Sequence, residues 1–316
     1  MLAAVSRAPE LATRTAGRFA GFGTADGLLI ATVVLWGLHF PMVKYAITHG
    51  FAALVYATMR FGVGSAVFAG ITKRREGDLR VRRRDLGLLV GLCGMAMYVN
   101  QIAFVSAVKL TNASTVALLF GTLPIFVALI GWRLGVERPH ARHWAAVVVS
   151  FVGVALVAAD AQGGITGELG GILLGLVAPL TWAFYSVVAA PLMRTYSLYR
   201  ISAVVGLAAI GPLLATSAPQ FASEDWGSIT GLAWGAVAYS TFAAFLLSNI
   251  MWFKAIKLAG PNRAALYANL QPFLGAVFAV LILSESMGLL QIIGGAVIAA
   301  GIVLARPERA PIEMVD

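Results

Sequence analysis

Side chains able to bind or react occur singly within long apolar stretches of this sequence. Arg60 lies about nine residues into one such stretch, near mid-depth for a helix that rises ~1.5 Å per residue. A guanidinium there can bind a carboxylate through two parallel hydrogen bonds, or it can tie helix ends and backbone carbonyls together. His39 titrates near neutral pH in its ordinary state, so it is either a neutral, hydrogen-bonded histidine or a proton carrier.

Aromatic and amide side chains recur at helical spacing near these two residues. One face of the first predicted helix carries an aromatic residue, a histidine and a second aromatic at three- and four-residue steps, and the same spacing recurs 146 residues later. Aromatic faces would hold an apolar or cationic group, and amides would hold an ammonium or a carboxylate. Packing, interface anchoring and interhelical hydrogen bonding are the alternatives. The candidate substrate-binding residues are Trp36, His39, Phe40, Arg60, Tyr98, Asn100, Gln101, Trp182, Tyr185, Ser186, Tyr239, Asn249, Trp252, Tyr267 and Gln271.

Composition indicates which elements must position these side chains. The chain is 59% hydrophobic and 12% charged, whereas soluble proteins are about 25% charged. Its apolar runs are about 20 residues long, which is the length of helix that crosses a bilayer. We therefore predict an all-α integral membrane protein with ten transmembrane helices, at about 26–48, 52–71, 86–107, 113–133, 142–160, 169–189, 199–217, 229–254, 262–283 and 287–305.

A stretch of the sequence occurs twice, 148 residues apart. Five predicted helices separate the two copies, and five is odd, so equivalent residues fall on opposite sides of the membrane. Inverted halves are a transporter architecture, because the same backbone can open to either side. The predicted organisation is a tail (1–25), a first five-helix repeat (26–160), a linker (161–168), a second repeat (169–305) and a tail (306–316). Matched pairs are Lys109 and Lys257, Pro124 and Pro272, and Glu137 and Glu285.

Basic residues indicate the orientation. With the amino terminus in the cytoplasm, 20 of the 23 Lys and Arg residues fall in cytoplasmic segments. Lys44 and Lys109 fall on the other side, and Arg60 lies within a helix. The net charge of +9 therefore reflects membrane topology and not a nucleic-acid partner. We expect both termini to be cytoplasmic.

Two prolines occupy equivalent positions in the two halves. Pro124 and Pro272 fall about ten residues into the fourth and ninth predicted helices, where proline removes a backbone hydrogen bond. They are either static bends or paired hinges that open one side and close the other. Their symmetric placement favours hinges.

Several kinds of chemistry have no matching residues in the sequence. No Asp or Glu lies in the middle of a predicted helix, which favours facilitative transport over tight proton coupling. No phosphate-binding loop, zinc-protease motif or catalytic triad is present, so an enzyme is not expected, and neither is a cofactor or a metal. Cys93 is the single cysteine, which excludes disulfides.

The combination of features resembles the EamA family of the drug/metabolite transporter superfamily, and within it the YddG-type exporters of aromatic and other amino acids. The resemblance implies a cavity lined by helices 1, 3, 4, 6, 8 and 9, with helices 5 and 10 as support. One departure is that Gly206 stands where the second half would carry an arginine equivalent to Arg60. The motifs that carry the resemblance are Trp36-Gly37, Arg60-Phe61, Pro124 with Glu137, and Pro272 with Glu285.

These observations predict a monomeric transporter in a bacterial inner membrane that exports amino acids and related small amphipathic metabolites by alternating access. A carrier of drugs, cationic compounds or nucleotide sugars is the alternative within the same superfamily. A channel is a further alternative, and it would give flux without saturation or counterflow. Nucleotide phosphates would require several interior Lys or Arg residues, and only Arg60 is at mid-depth.

Overall fold

The computed structural model describes residues 23–135, 141–159, 168–259, 264 and 267–304, and within these ranges the protein is all-helical. Seven helices are long and apolar enough to cross a membrane, and three shorter helices are also apolar. The all-α membrane class is therefore confirmed. Residues 1–22 of the predicted amino-terminal tail, the predicted carboxyl-terminal tail, most of the linker and Glu137 lie outside the described residues. The helices are α1 (Thr24–Thr48), α2 (Ala53–Glu76), α3 (Arg83–Leu110), α4 (Ala113–Arg133), α5 (Ala141–Ala159), α6 (Glu168–Arg194), α7 (Leu198–Ser223), α8 (Gly231–Ile256), α9 (Gln271–Leu283) and α10 (Leu289–Leu304).

Polar contacts between helix termini define two ends of the bundle. At the Lys44 end, the Lys44 ammonium donates to the carbonyl oxygens of Val108 (2.8 Å) and Thr111 (2.7 Å), where α3 ends. The Thr111 hydroxyl donates to Glu168, the first residue of α6, at 3.3 Å. Helix α1 thus ends where its counterpart α6 begins. The two helices run in opposite directions, as inverted halves require.

The opposite end is named the Arg200 end. Arg200, in the first turn of α7, forms ion pairs with Glu76 (3.1 Å), the last residue of α2, and with Asp78 (3.5 Å), which follows that helix. At the start of α1, Tyr267 donates a hydrogen bond to Asp26 at 2.8 Å. These contacts join the first half to the second at the end where α1 begins.

Helix packing follows the same inversion. Helix α1 packs on α8 and α9, while its counterpart α6 packs on α3 and α4. The pairs α2–α7, α4–α9 and α5–α10 join equivalent helices across the two halves. In the α5–α10 pair, a Cβ atom at Gly153 would lie 2.7 Å from the Gly294 carbonyl oxygen, and one at Gly294 would lie 2.6 Å from that of Gly153. Small residues therefore set this close approach.

Irregular geometry occurs in or next to corresponding helices of the two halves. Helices α3 and α8 contain π-helical segments, at Gly87–Cys93 and Tyr239–Leu247. Helix α4 contains a 3-10 turn at Phe120–Thr122, and a tight turn closed by a bond from Leu270 N to Tyr267 O (2.9 Å) precedes α9. Such irregular turns mark hinges or functional sites more often than regular helix does.

The prolines of these helices have a different local role from the one expected. Pro124 and Pro272 each stand in the first turn of a new helical segment, just after the irregular turn. Proline is tolerated there because a first-turn amide has no intrahelical acceptor. The break in the helix is therefore the turn itself, and the proline sets where the next segment begins.

Candidate functional site

A chain of buried polar side chains runs through the middle of the first half and into α6. Arg60 on α2, only 6% exposed, donates from Nη2 to the Gln101 side-chain oxygen on α3. Gln101 Nε2 donates to Asn100 Oδ1 at 3.1 Å. Asn100 Nδ2 then donates to the Ala178 carbonyl oxygen (2.7 Å) and to Thr181 Oγ1 (3.2 Å), both on α6. The chain links α2, α3 and α6, and therefore both halves.

The charge of Arg60 has no matching carboxylate in the described part of the protein. The ion pairs seen there join Arg84 to Asp85, and Arg200 to Glu76 and Asp78. Arg60 Nε is buried without a hydrogen-bond partner among the described atoms. Removing a charge from water is costly unless an opposite charge or several dipoles compensate it.

His39 belongs to a second polar group, which joins α1, α2 and α8. Its Nδ1 lies 3.1 Å from Ser240 Oγ, and the Tyr56 hydroxyl donates to the same oxygen at 2.6 Å. The imidazole stacks on Phe104, with ring centroids 5.5 Å apart. With Tyr56 donating to Ser240, the serine hydroxyl can itself donate to His39 Nδ1. This geometry supports a hydrogen-bonded histidine with a fixed ring orientation.

Aromatic side chains of α1 and α8 form a half-buried cluster. The Trp36 indole N–H donates to Ser248 Oγ at 2.8 Å, and its ring lies 5.1 Å from that of Trp252. Tyr239 donates to the Leu35 carbonyl oxygen at 2.9 Å. The polar tips of Trp36 and Tyr239 are therefore occupied. The two indole rings pack on each other, and Trp252 also packs around the core cluster that contains Leu29 and Ala255. Indole faces in such a cluster can attract an apolar or cationic group.

The equivalent face of α6 is arranged differently. The Trp182 and Tyr185 rings lie 5.9 Å apart and pack around the core cluster that contains Met97. The Ser186 hydroxyl donates to the Trp182 carbonyl oxygen at 2.7 Å, within its own helix. Sequence symmetry thus does not extend to hydrogen-bonding partners, because the described hydrogen bonds include one from the Trp36 indole to another helix and none from the indole of its counterpart Trp182.

The remaining predicted residues are spread over the bundle. Phe40 is 1% exposed and packs on Phe104 and Phe120, with centroids 5.9 and 5.4 Å away. Tyr98 lies 2.7 Å from Thr216 Oγ1 of α7. The side-chain amide of Asn249 donates to the Phe245 carbonyl of its own helix, Tyr267 reaches Asp26, and half-buried Gln271 begins α9. Tyr267 and Gln271 are four residues apart, which would place them on one face of a regular helix, but the tight turn between them breaks that face.

Sequence reasoning missed four residues that complete these groups. Tyr56 and Ser240 hold His39, Thr181 accepts from Asn100, and the Phe245 ring lies 6.0 Å from the Arg60 guanidinium carbon. Tyr56 precedes Arg60 by four residues, so helical spacing alone places both on one face of α2. Nothing in the spacing connects the other three to the site.

Carboxylates fasten the Lys44 end of the bundle. Glu285 accepts hydrogen bonds from the backbone amides of Ala113 (2.8 Å) and Ser114 (2.9 Å) at the start of α4, and from the Ser114 hydroxyl (2.7 Å). Glu224 accepts from the Ala52 amide at 3.1 Å. A carboxylate at a helix amino terminus also interacts favourably with the helix dipole. A surface cleft of about 350 Å³ lies at this end, lined in part by Phe51, Lys109, Gln220, Glu224 and Asp225.

Metal binding is not indicated in the part of the chain that the structure describes, where His, Cys, Asp and Glu side chains form no group of three. The polar groups at mid-bundle are a guanidinium, amides, hydroxyls and an imidazole, each held by a neighbouring helix. Such groups bind and orient a small molecule, and they lack an activated nucleophile.

The comparisons with known proteins agree with this architecture. The model of the EamA-like transporter family matches twice, over residues 23–159 and 169–306. The uncharacterized transporter YyaM of Bacillus subtilis is 26% identical over 88% of this chain and 92% of its own length. A probable amino-acid metabolite efflux pump of Escherichia coli is 24% identical over 88% of this chain and 93% of its own. A solved crystal structure covering 89% of this chain and 96% of its own has a TM-score of 0.60 at 21% identity, which shows a shared fold. With two copies of the family's domain covering most of its length, the chain belongs to the EamA-like transporter family.

Proposed function

We propose that this transporter exports amino acids, aromatic and other neutral ones among them, together with related small amphipathic metabolites, by alternating access. The observation that carries the proposal is that the mid-bundle groups join helices of opposite halves. Asn100 of α3 is bonded to α6, and Trp36 of α1 is bonded to α8. A movement of one half against the other therefore changes the site directly. The efflux pump of Escherichia coli supports the amino-acid substrate.

The amphipathic character of the site supports this class of substrate. Amide and guanidinium groups of α2 and α3 lie near the aromatic rings of Phe104 and Phe245. An amino acid has a charged end and, in the aromatic members, a large apolar side chain. Polar and aromatic groups placed side by side fit both parts of such a molecule.

We propose that transport is facilitative and not tightly coupled to protons. The described carboxylates lie toward the two ends of the bundle, where Asp26, Glu168, Glu224 and Glu285 each contact a helix terminus or a helix end. Tightly proton-coupled carriers commonly place a carboxylate within the membrane. We further propose that the protein works as a monomer in the inner membrane, with both termini cytoplasmic and the Lys44 end outside.

A carrier of aromatic cations is the second candidate, and the Trp36–Trp252 pair favours it, because indole faces attract cations. The buried positive charge of Arg60 opposes it. A nucleotide-sugar carrier fits less well, since a nucleotide diphosphate calls for a cluster of basic groups.

Counterflow in liposomes tests the proposal. Purified protein, reconstituted into vesicles loaded with unlabelled phenylalanine, is expected to accumulate labelled phenylalanine saturably without a pH gradient. Empty vesicles are the control. Failure to exchange any neutral amino acid contradicts the substrate, a strict need for a pH gradient contradicts the facilitative form, and flux without saturation indicates a channel.

A further inference from the structure

Arg60 is the one described Lys or Arg side chain held at mid-bundle, and its environment leaves its charge largely uncompensated. One donor is used on Gln101, while Nε has no partner. The nearest aromatic face, that of Phe245, is 6.0 Å from the guanidinium carbon, a distance at which cation–π attraction is weak. A buried guanidinium in this condition is an incomplete site for an anion.

The geometry points to one chemical class of anion. We propose that Arg60 receives the carboxylate of the substrate, and that a carboxylate, and not an ammonium, is the group a substrate must carry. The guanidinium offers parallel N–H donors that match the two oxygens of a carboxylate. Gln101 fixes the side chain through Nη2, so it is already oriented before the substrate arrives. The inference rests on the proposed function and deepens it.

The surroundings of Arg60 explain why the ammonium is dispensable. Four side chains near the Arg60 guanidinium carry no negative charge. They are His39, Tyr56, Gln101 and Phe245. The carboxylates of Asp26, Glu224 and Glu285 accept hydrogen bonds from backbone amides at helix ends, away from Arg60. An ammonium would therefore find neutral acceptors only, and would add like charge close to Arg60. An apolar side chain would meet Phe245 and Phe104.

The proposal separates four small molecules that share one phenyl group. L-phenylalanine carries both charges, 3-phenylpropionate only the carboxylate, 2-phenylethylamine only the ammonium, and L-phenylalaninamide an ammonium with an uncharged amide. Isothermal titration of the full-length protein in detergent is expected to give binding of the first two. Binding of the last two is expected to be roughly 10- to 100-fold weaker, the usual effect of losing a charge-assisted hydrogen bond.

Substitutions assign the effect to the guanidinium. R60Q should weaken binding of phenylalanine and 3-phenylpropionate by roughly 10- to 100-fold. It should not weaken binding of the two amines, because their ammonium groups no longer meet a like charge. R60K keeps the charge without the fork, so it should recover part of the loss. R200Q, which removes the arginine paired with Glu76 at the end of the bundle, is the matched control and should bind all four molecules as the unmodified protein does.

The outcomes distinguish this inference from the proposed function. Equal affinity for all four molecules overturns the carboxylate site and leaves amino-acid transport standing. Binding of 3-phenylpropionate without any amino acid overturns amino-acid transport and leaves the carboxylate site standing, and binding of none overturns both. Stabilisation of the protein by chloride, with no difference between acid and amine, assigns Arg60 to an inorganic anion and overturns the proposal. Should R60Q fail to fold, the four-molecule comparison on the unmodified protein still decides.

Discussion

The two halves of the molecule share a frame and differ in the polar groups that the frame carries. In the first half, Arg60 of α2 continues through Gln101 and Asn100 into α6. In the second half, Gly206 of α7 takes the place of Arg60, and the side-chain hydrogen bond described for Asn249 stays within its own helix. Under the proposed function, the inverted backbone would serve opening to both sides, while the polar end of the substrate would be recognised mainly by the first half.

Packing explains why the second half has no arginine. A Cβ atom added at Gly206 would collide with the Ser65 hydroxyl of α2, so no side chain fits between α7 and α2. At the equivalent point of the first half, the Arg60 side chain extends toward α3 instead. The close contact between α2 and α7 thus leaves room for the Arg60 side chain, which points toward α3, but not for an arginine at position 206.

Placing an arginine at Gly206, the position equivalent to Arg60, should have the largest effect on stability. G206R would force a guanidinium against Ser65 and bury a second unpaired charge, at a cost of about 3–5 kcal/mol or more. We expect loss of the folded protein in detergent, measured by size exclusion and thermal unfolding. G211A, on the same helix with open space around it, is the control and should fold normally. A stable G206R variant would show that packing against Ser65 is not the reason why the second half has no arginine.

Removing one mid-bundle amide from each half should give a smaller difference in stability between the halves. N100A leaves the Ala178 carbonyl and Thr181 without their partner between helices, and should lower the free energy of unfolding by about 1–3 kcal/mol. N249A removes only a bond within α8, so its effect should stay within about 0.5 kcal/mol. Chemical or thermal unfolding of both variants measures the comparison. Equal losses would contradict a site concentrated in the first half.

The two halves share one feature, an irregular turn followed by a proline, and substitutions there test whether both turns act as hinges. Alanine at both Pro124 and Pro272 should extend the helices through the adjacent irregular turns and stiffen them. Turnover in counterflow should fall about fivefold, the effect of ~1 kcal/mol on a barrier, while phenylalanine binding changes little. P219A, which alters a proline near the end of α7, is the control. Unchanged turnover in the double variant would contradict the hinge role. If turnover falls in only one of the two single variants, P124A or P272A, the movement belongs to that half.

The sequence predicted the frame better than the site, and particular residues show why. Apolar runs are local signals, so α4 was placed at 113–133 as observed, and the inversion needed only the loop charges and the number of helices. Helix α7 continues past the predicted 217 because Gln220 and Glu224 bond to the Leu54 and Ala52 amides of another helix. Ser240 and Tyr56 are 184 residues apart, so their bond follows from tertiary packing alone. The π segments have no distinct composition and were not predicted.

The smallest expected effect concerns the two helices that begin each half. Asp26, in the first turn of α1, is 2% exposed, accepts from Tyr267 at 2.8 Å and caps its own helix through the Gly23 amide at 3.0 Å. Its equivalent on α6 is Ile172, so this carboxylate belongs to one half only. The amide oxygen of D26N can accept either bond, so stability should change by no more than about 0.5–1 kcal/mol.

The same variant decides whether this asymmetric carboxylate carries a proton. Under the facilitative proposal, the initial rate of phenylalanine counterflow between about pH 6 and 8 should have the same profile in D26N as in the unmodified protein. Y267F, which removes the hydroxyl partner and keeps the carboxylate, is the matched control. A pH profile that flattens in D26N but not in Y267F would make Asp26 a proton carrier. In that case the first half would supply the coupling group as well as Arg60, and the inverted second half would supply only the movement.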